Sequence, residues 1–494
     1  MRFLKLKIDN YKVLDNLEIN FSPNHSTTVV IGKNGAGKTT IVECLTEIFS
    51  NFFKTKDVSE LQKLQFPFDF EMIYLLRKEK SIETSFHGES YVDYIGVEYI
   101  FRDGHLTIRL HYADKVFENA KEISKFLRNK GESIKYILPD NLILYYSGIS
   151  EVIYNEFHNF QEEIILGSLD GEAKVDQPFF YFLPKNLPSI LTGLLSFEFG
   201  DVPDILHDKF GISGFSEIRI IVKKPSWAKA KSTTEDFWGA KGDLAIFLER
   251  LKSNSSLSSV ENDRLVFFIN SANQLFNIWS YYGSEKRLFE YLVSLQANGL
   301  VEDIEIDLQK NDLTINHERL SEGEKQLLTI IGLKELLAAD NSLFILDEPD
   351  TYLHPEWKRD FIFSFLTEDP ELVDKNFYFV TTHSPNVISG LKREQLKILE
   401  NIEGKSKLRD FTFNPYGQRV DKILLDFFSV DGLRFKKIEE EFSKLKKLVL
   451  ENQYDSDEFK TLYASLEKAL GKSDIELLQI KLEVAKRKKN EGTK

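Results

Sequence analysis

Apolar and polar positions alternate with a period of two over the first stretch of the chain. Phe3, Leu4, Leu6 and Ile8 are followed by Val13, Leu14, Leu17, Ile19 and Phe21. This spacing predicts a hairpin with Asp9 and Asn10 near its turn. A β-branched run over 27–31 leads into a glycine-rich loop and then into a helix over about 41–52. Alternation returns over 68–74, 97–101 and 106–112, predicting an antiparallel meander. Residues 113–135 are charged and helical in pattern. Leu142 to Tyr146 reads as a buried strand ending in Ser147 and Gly148, with a helical region after it. A strand follows at 218–222, a Ser-rich surface loop at 253–259, and a hairpin made of 304–308 and 313–315.

The apolar run at 343–346 and the stretch 376–382, apolar over 377–380, predict buried strands. An amphipathic helix over 356–366 lies between them. Beyond residue 430, Leu433, Ile438, Phe442, Leu445 and Leu448 keep helical spacing, as do Phe459, Leu462, Leu466 and Leu470. They predict two or three antiparallel helices with one apolar face, ending in the basic run Lys486, Arg487, Lys488, Lys489.

At 494 residues the chain has room for two or three domains. The pattern divides it into a first α/β lobe (1–135), a mostly helical insertion (136–300), a second α/β lobe (301–425) and a helical C-terminal segment (426–494). Hydrophobic residues make up 42% and aromatic residues 13%, an ordinary globular composition. The single cysteine, Cys44, excludes a disulfide framework and a cysteine metal site. No apolar run reaches membrane-span length and Met1 to Lys5 begins no signal-peptide core, so a cytoplasmic protein without membrane contact is expected. The net charge of −14 argues against a surface that binds nucleic acid everywhere, though not against a local basic groove.

The chemistry gathers in a few places. Gly32, Lys33, Asn34, Gly35, Ala36, Gly37, Lys38, Thr39 and Thr40 form a complete G-x-x-x-x-G-K-[ST] loop between a strand and a helix. The glycines let the backbone curl round the phosphates of ATP. Lys38 would reach the β- and γ-phosphates, and the Thr39 hydroxyl suits Mg²⁺. Leu320, Ser321, Glu322, Gly323, Glu324, Lys325 and Gln326 open a helix whose N-terminus offers N–H groups to a phosphate. The strand after it ends in Asp347 and Glu348. Asp347 suits a Mg²⁺ ligand and Glu348 a base that orients a hydrolytic water. His383, at the end of the next buried strand, is placed to contact a γ-phosphate. Gln62 or Gln65 could sense that phosphate, or be an ordinary exposed loop residue. Lys223, Lys224, Lys229, Lys231 and Lys241 surround Trp227 and Trp238. That patch suits phosphate tracking with base stacking, or a solvated loop anchored by its tryptophans.

In this order, the loop at Gly32 to Thr39, the turn at Leu320 to Gln326, the pair Asp347 and Glu348, then Asp350 and His383 resemble an ABC-type ATPase head. Such heads occur in recombination-repair, chromosome-maintenance and overcoming-lysogenization families. The turn carries Glu322 and Glu324 where transporters have Gly and Gln, as is usual in the soluble branch. The resemblance implies a mixed sheet flanked by helices and a homodimer or higher homo-oligomer. Ser321 and Gly323 would then complete the partner head's ATP site, Asp350 would link the two sites, and His383 would act as a switch at the γ-phosphate.

Tyr145 to Gly148, Lys224 to Lys229, Phe237 to Gly242 and the tail helices are similar to the PtuA family, the ATPase subunits of Septu anti-phage systems, some attached to retrons. That likeness implies a small HNH nuclease partner (PtuB-like) and a nucleic acid such as phage DNA, tRNA or a retron DNA–RNA hybrid. No nuclease site is evident in this chain: the region after His383 has no strand-borne Glu followed by Asp-x-Asp. The competing expectation is a stand-alone DNA repair or recombination ATPase acting on DNA.

Overall fold

A computed structural model describes residues 1–86, 88–148, 178–261, 263–362, 366, 375–428 and 432–491. Two units are distinct, Met1–Gly417 and Gln418–Lys494.

In the first unit a seven-stranded sheet runs in the order Phe179–Tyr181, Leu142–Tyr146, Leu343–Asp347, Phe377–Thr382, Thr27–Gly32, Leu396–Ile402, Lys405–Leu408. Every neighbouring pair is parallel except the last. The three strands at its centre are buried at every position, which explains why they are mostly apolar and do not alternate. Register brings Asp347 level with Thr381, and Thr382 level with Ile31. The carboxyl ends of three adjacent strands therefore meet at one edge, where ligands bind in open parallel sheets.

The helix Lys38–Lys54 leaves that edge and buries Ile41, Leu45, Ile48, Phe49 and Phe52. An aromatic cluster receives it. The Phe3 ring lies 5.1 Å from Phe377 and 6.3 Å from Phe49, and Phe49 lies 6.1 Å from Tyr74. Each fully buried ring contributes about 1.5–3 kcal/mol, so the helix that carries Lys38 is held firmly against the core.

Phe3 and Tyr74 come from a second, antiparallel sheet of six strands. Its order is Leu17–Asn20, Arg2–Asp9, Asp69–Arg77, Tyr94–Arg102, His105–Tyr112, Lys115–Phe117. The N-terminal hairpin and the meander expected from alternation are both in it, with Ile8 opposite Leu17.

Residues 136–300 are less helical than their pattern suggested. Leu142–Tyr146 and Phe179–Tyr181 belong to the central sheet. Ile212–Lys223, Ser256–Glu261 and Arg264–Ile269 join Val301–Lys310 and Leu313–Asn316 in a five-stranded antiparallel sheet. The Ser-rich stretch expected to be a loop is thus partly an edge strand, with Ser256 opposite Phe268. Its partner strands carry the apolar side chains, so its own composition gave no strand signal. Much of the helical region expected after Gly148, and the end of the helix expected at 356–366, lie outside the described residues. The helix seen there is Pro355–Phe361.

The second unit holds the helices Val420–Phe428, Lys436–Leu450, Asp457–Leu470 and Ile475–Glu491. Phe442, Leu445, Leu448, Phe459, Leu466, Leu477 and Ile480 form its core. Arg434 clamps it by a two-pronged bond to Asp474, at 2.8 and 3.1 Å.

Candidate ATP site

The glycine-rich loop turns through two left-handed residues, Gly35 (φ 78°) and Gly37 (φ 99°). Gly37 precedes the helix Lys38–Lys54 and no side chain caps that helix, an N-terminus suited to an anion. A Cβ on Gly37 would stand 2.5 Å from Ser406 Oγ and 3.0 Å from Leu14 Cδ2. The loop is pinned by the last hairpin of the sheet. Ser406 Oγ donates to Ala36 O at 2.6 Å, and Asn401 Nδ2 donates to Gly35 O at 3.1 Å. Asn34 is exposed on the loop and Thr40 is half-buried in the first helical turn.

The Lys38 ammonium is 6% exposed and donates to Gly32 O at 2.9 Å. Burial depresses its pKa, and the nearby Glu348 and Asp347 carboxylates oppose that effect. Thr39 Oγ1 donates to Asp347 Oδ2 at 3.2 Å. The other Asp347 oxygen accepts a short hydrogen bond from Thr381 Oγ1. Asp347 is 3% exposed, and burial pushes its carboxyl pKa up, reinforced by Glu348 and countered by the two threonines and Lys38. A buried carboxylate oxygen beside a threonine hydroxyl is a hard-oxygen pair that fits Mg²⁺. Among the described residues no three His, Cys, Asp or Glu side chains group as a metal site, so further ligands would come from phosphate and water.

Glu348 adopts φ 51°, uncommon for a residue with a side chain. Its N–H is held by Thr381, at 3.1 Å to the carbonyl and 3.2 Å to Oγ1. This bend carries its carboxylate out of the strand to His383, whose Nδ1 lies 3.2 Å from Glu348 Oε1. The carboxylate is about a third exposed and the imidazole about half exposed, so water can reach both. Lys38, Thr39, Asp347, Glu348 and His383 thus stand together, with Thr381 as a support that sequence reasoning missed.

Ser321, Gly323 and Asp350 form a second cluster. Ser321 caps the helix Glu322–Leu337 in a reciprocal box with Glu324. Lys310 holds Glu324 at 2.8 Å. This explains the glutamate at that position: it supplies the second half of the cap. A Cβ on Gly323 would lie 2.8 Å from Tyr352 O, so only glycine allows this approach to the Asp350 loop. Asp350 is buried and accepts from Thr382 Oγ1 at 2.7 Å. Burial raises its carboxyl pKa. The contacts of Ser321 and Gly323 lead to Glu324 and Tyr352 rather than to the glycine-rich loop.

Two loop readings left open by the sequence fall on their structural side. Gln65 Nε2 donates to Gly104 O at 3.1 Å, a brace between two turns. Trp238 is 1% exposed, a core residue that no base can stack on. Trp227 is 37% exposed and donates its indole N–H to Asn298 O at 2.9 Å. Lys223, Lys229, Lys231 and Lys241 are exposed. Among the described residues no helix is long and apolar enough to cross a membrane.

Comparisons with known proteins give the chain's relatives. Residues 1–186 match the family model "AAA ATPase domain", and residues 186–389 match "AAA domain, putative AbiEii toxin, Type IV TA system". The retron Ec83 probable ATPase of Escherichia coli is 24% identical, over 99% of this chain and 87% of its own length. The retron Vc95 probable ATPase of Vibrio cholerae serotype O1 biovar El Tor is 20% identical, over 86% and 78%. Septu protein PtuA of Bacillus thuringiensis is 23% identical, over 87% and 85%. An Smc head crystallised with the C-winged helix domain of ScpA aligns with a TM-score of 0.34 at 15% identity, over 83% of this chain and 98% of that one. The chain carries AAA ATPase domains over residues 1–389 and is similar to the retron probable ATPases and Septu protein PtuA.

Proposed function

We propose that this ATPase is the sensor and scaffold of an anti-phage defence complex, in which ATP-dependent pairing of two heads controls an HNH nuclease bound in trans. The observation that carries the reading is that Ser321 and Gly323 meet Glu324 and Tyr352 rather than the chain's own glycine-rich loop. That loop lies beside a metal-ligand pair and a base, and the helix N-terminus after Ser321 is suited to phosphate. Two heads facing each other would supply each P-loop with the partner's Ser321 and Gly323. The similarity to a retron probable ATPase and to Septu protein PtuA supports the defence reading.

In the paired state Lys38 gives up Gly32 O for the β- and γ-phosphates. Glu348 takes a proton from the attacking water while His383 holds the Glu348 carboxylate and meets the γ-phosphate. Asp347 and Thr39 would hold Mg²⁺, which when bound neutralises charge on the phosphates. Asp350 passes the state of one site to the other. A nuclease would dock on the C-terminal helices, where Ile475, Leu478 and Leu482 leave an apolar stripe exposed at 73%, 42% and 62%.

The second reading, a stand-alone ATPase acting on DNA, is favoured by the exposed lysines beside Trp227. Purification of the tagged chain expressed from its own locus separates the two. Recovery of a small HNH protein supports the defence complex. Recovery of the chain alone, with hydrolysis stimulated by DNA and lost at moderate salt, supports the second reading.

A further inference from the structure

Gln326 lies one turn after Gly323 on the same face of the helix Glu322–Leu337. It is 4% exposed, and both ends of its amide are used. Its Oε1 accepts from Tyr352 N at 2.9 Å, and its Nε2 donates to Tyr145 OH at 3.0 Å. Tyr145 is itself 6% exposed and pairs with Leu346, one residue before Asp347. Tyr352 is therefore held against one helix face, its nitrogen bonded to Gln326 and its oxygen so near Gly323 that no larger residue fits there. Two residues back, Asp350 is bonded to Thr382, the neighbour of the threonine that holds Asp347.

We propose that Gln326 is a positioning residue that fixes the Ser321 turn and the Asp350 loop in register with the Asp347 strand, so that the surface presented to a partner's ATP moves with the chain's own hydrolytic edge. This rests on the reading that two heads pair. Gln326 bonds Tyr145 and Tyr352 and no P-loop residue, so first capture of ATP by the chain's own loop is spared and the loss falls on turnover in the paired state. Removing either bond leaves the buried Gln326 amide or Tyr145 phenol without its partner and frees the Tyr352 N–H from the helix face. The phenol cannot adapt by ionising, because burial pushes its pKa up to about 12.

The test compares Gln326→Leu with Tyr145→Phe, which removes one hydroxyl and keeps the Tyr352 bond. Gln326→Leu is expected to lower kcat by about tenfold or more, with KM for ATP within about twofold of the parent. Tyr145→Phe is expected to lower kcat by less, again at constant KM. Parental kcat in either variant, or a KM that rises as kcat falls, overturns the assignment. If Gln326→Leu does not fold, Tyr145→Phe alone decides by the same criteria. Light scattering in ATP separates this inference from the pairing it rests on. If Glu348→Gln stays monomeric with ATP bound, pairing fails. If Glu348→Gln pairs and the Glu348→Gln, Gln326→Leu double variant pairs equally well with no loss of kcat in Gln326→Leu, the role of Gln326 fails alone.

Discussion

Replacing Thr381 with valine should separate the metal requirement of this ATPase from its fold. Valine keeps the β-branched shape and removes the hydroxyl, which donates to Asp347 Oδ1 and accepts from Glu348 N at 3.2 Å. The second loss is small, because Glu348 N keeps the Thr381 carbonyl at 3.1 Å. The first is not replaced by water, since Asp347 is 3% exposed. A hydrogen bond to a charged group contributes about 1.5–3 kcal/mol, and loss of such a support behind a metal ligand typically costs about 10–100-fold in metal affinity. ATP hydrolysis followed against Mg²⁺ concentration should show the half-saturation point moved up by that factor, with much of kcat recovered at high Mg²⁺. A Thr381→Val protein that melts as a folded chain and gives a Mg²⁺ curve superimposed on the parent's would refute the placement of Mg²⁺ at Asp347.

Other changes test neighbouring parts of the site. The Asp347 pKa is raised on folding, so its contribution to stability is full below the unfolded carboxylate pKa of about 4 and is lost as pH rises through the folded value. Asp347→Asn should therefore abolish hydrolysis while raising the neutral-pH stability of the nucleotide-free protein by on the order of 1 kcal/mol, read as a higher melting temperature. A melting temperature that falls would contradict the burial argument. Gly37→Ala forces a side chain into a left-handed conformation and toward Ser406 Oγ, a strain of about 1–2 kcal/mol, which lowers the population of this loop conformation about 5–30-fold. Fluorescent ATP analogue binding should weaken by at least that range, and unchanged binding would show that the loop does not cradle phosphate.

The parts of the site legible in the sequence are those whose chemistry is local. Gly35 and Gly37 announce a loop with positive φ, and Leu343 to Leu346 announces a strand buried on both faces before Asp347 and Glu348. Ser321 with Glu324 is a helix cap readable from spacing alone. Supports that come from far along the chain were not legible. Asn401 and Ser406 reach back 366 and 370 residues to the loop, and nothing in their own surroundings signals it. Thr381 reads as an ordinary β-branched strand residue, although its hydroxyl holds Asp347 and Glu348 N. Trp238 reads as an aromatic beside lysines, yet packing buries it. The strand at Ser256–Glu261 forms because its neighbour offers a paired edge, and its serines give no such pattern.

Head pairing is most directly tested by the mass of the Glu348→Gln protein in solution with Mg²⁺, measured by light scattering with and without ATP. The chain is 57.3 kDa. The expected result is a mass that at least doubles on adding ATP, with the nucleotide retained unhydrolysed. A mass that stays at one chain while ATP is demonstrably bound would contradict the pairing of heads, and with it the control of a nuclease through that pairing.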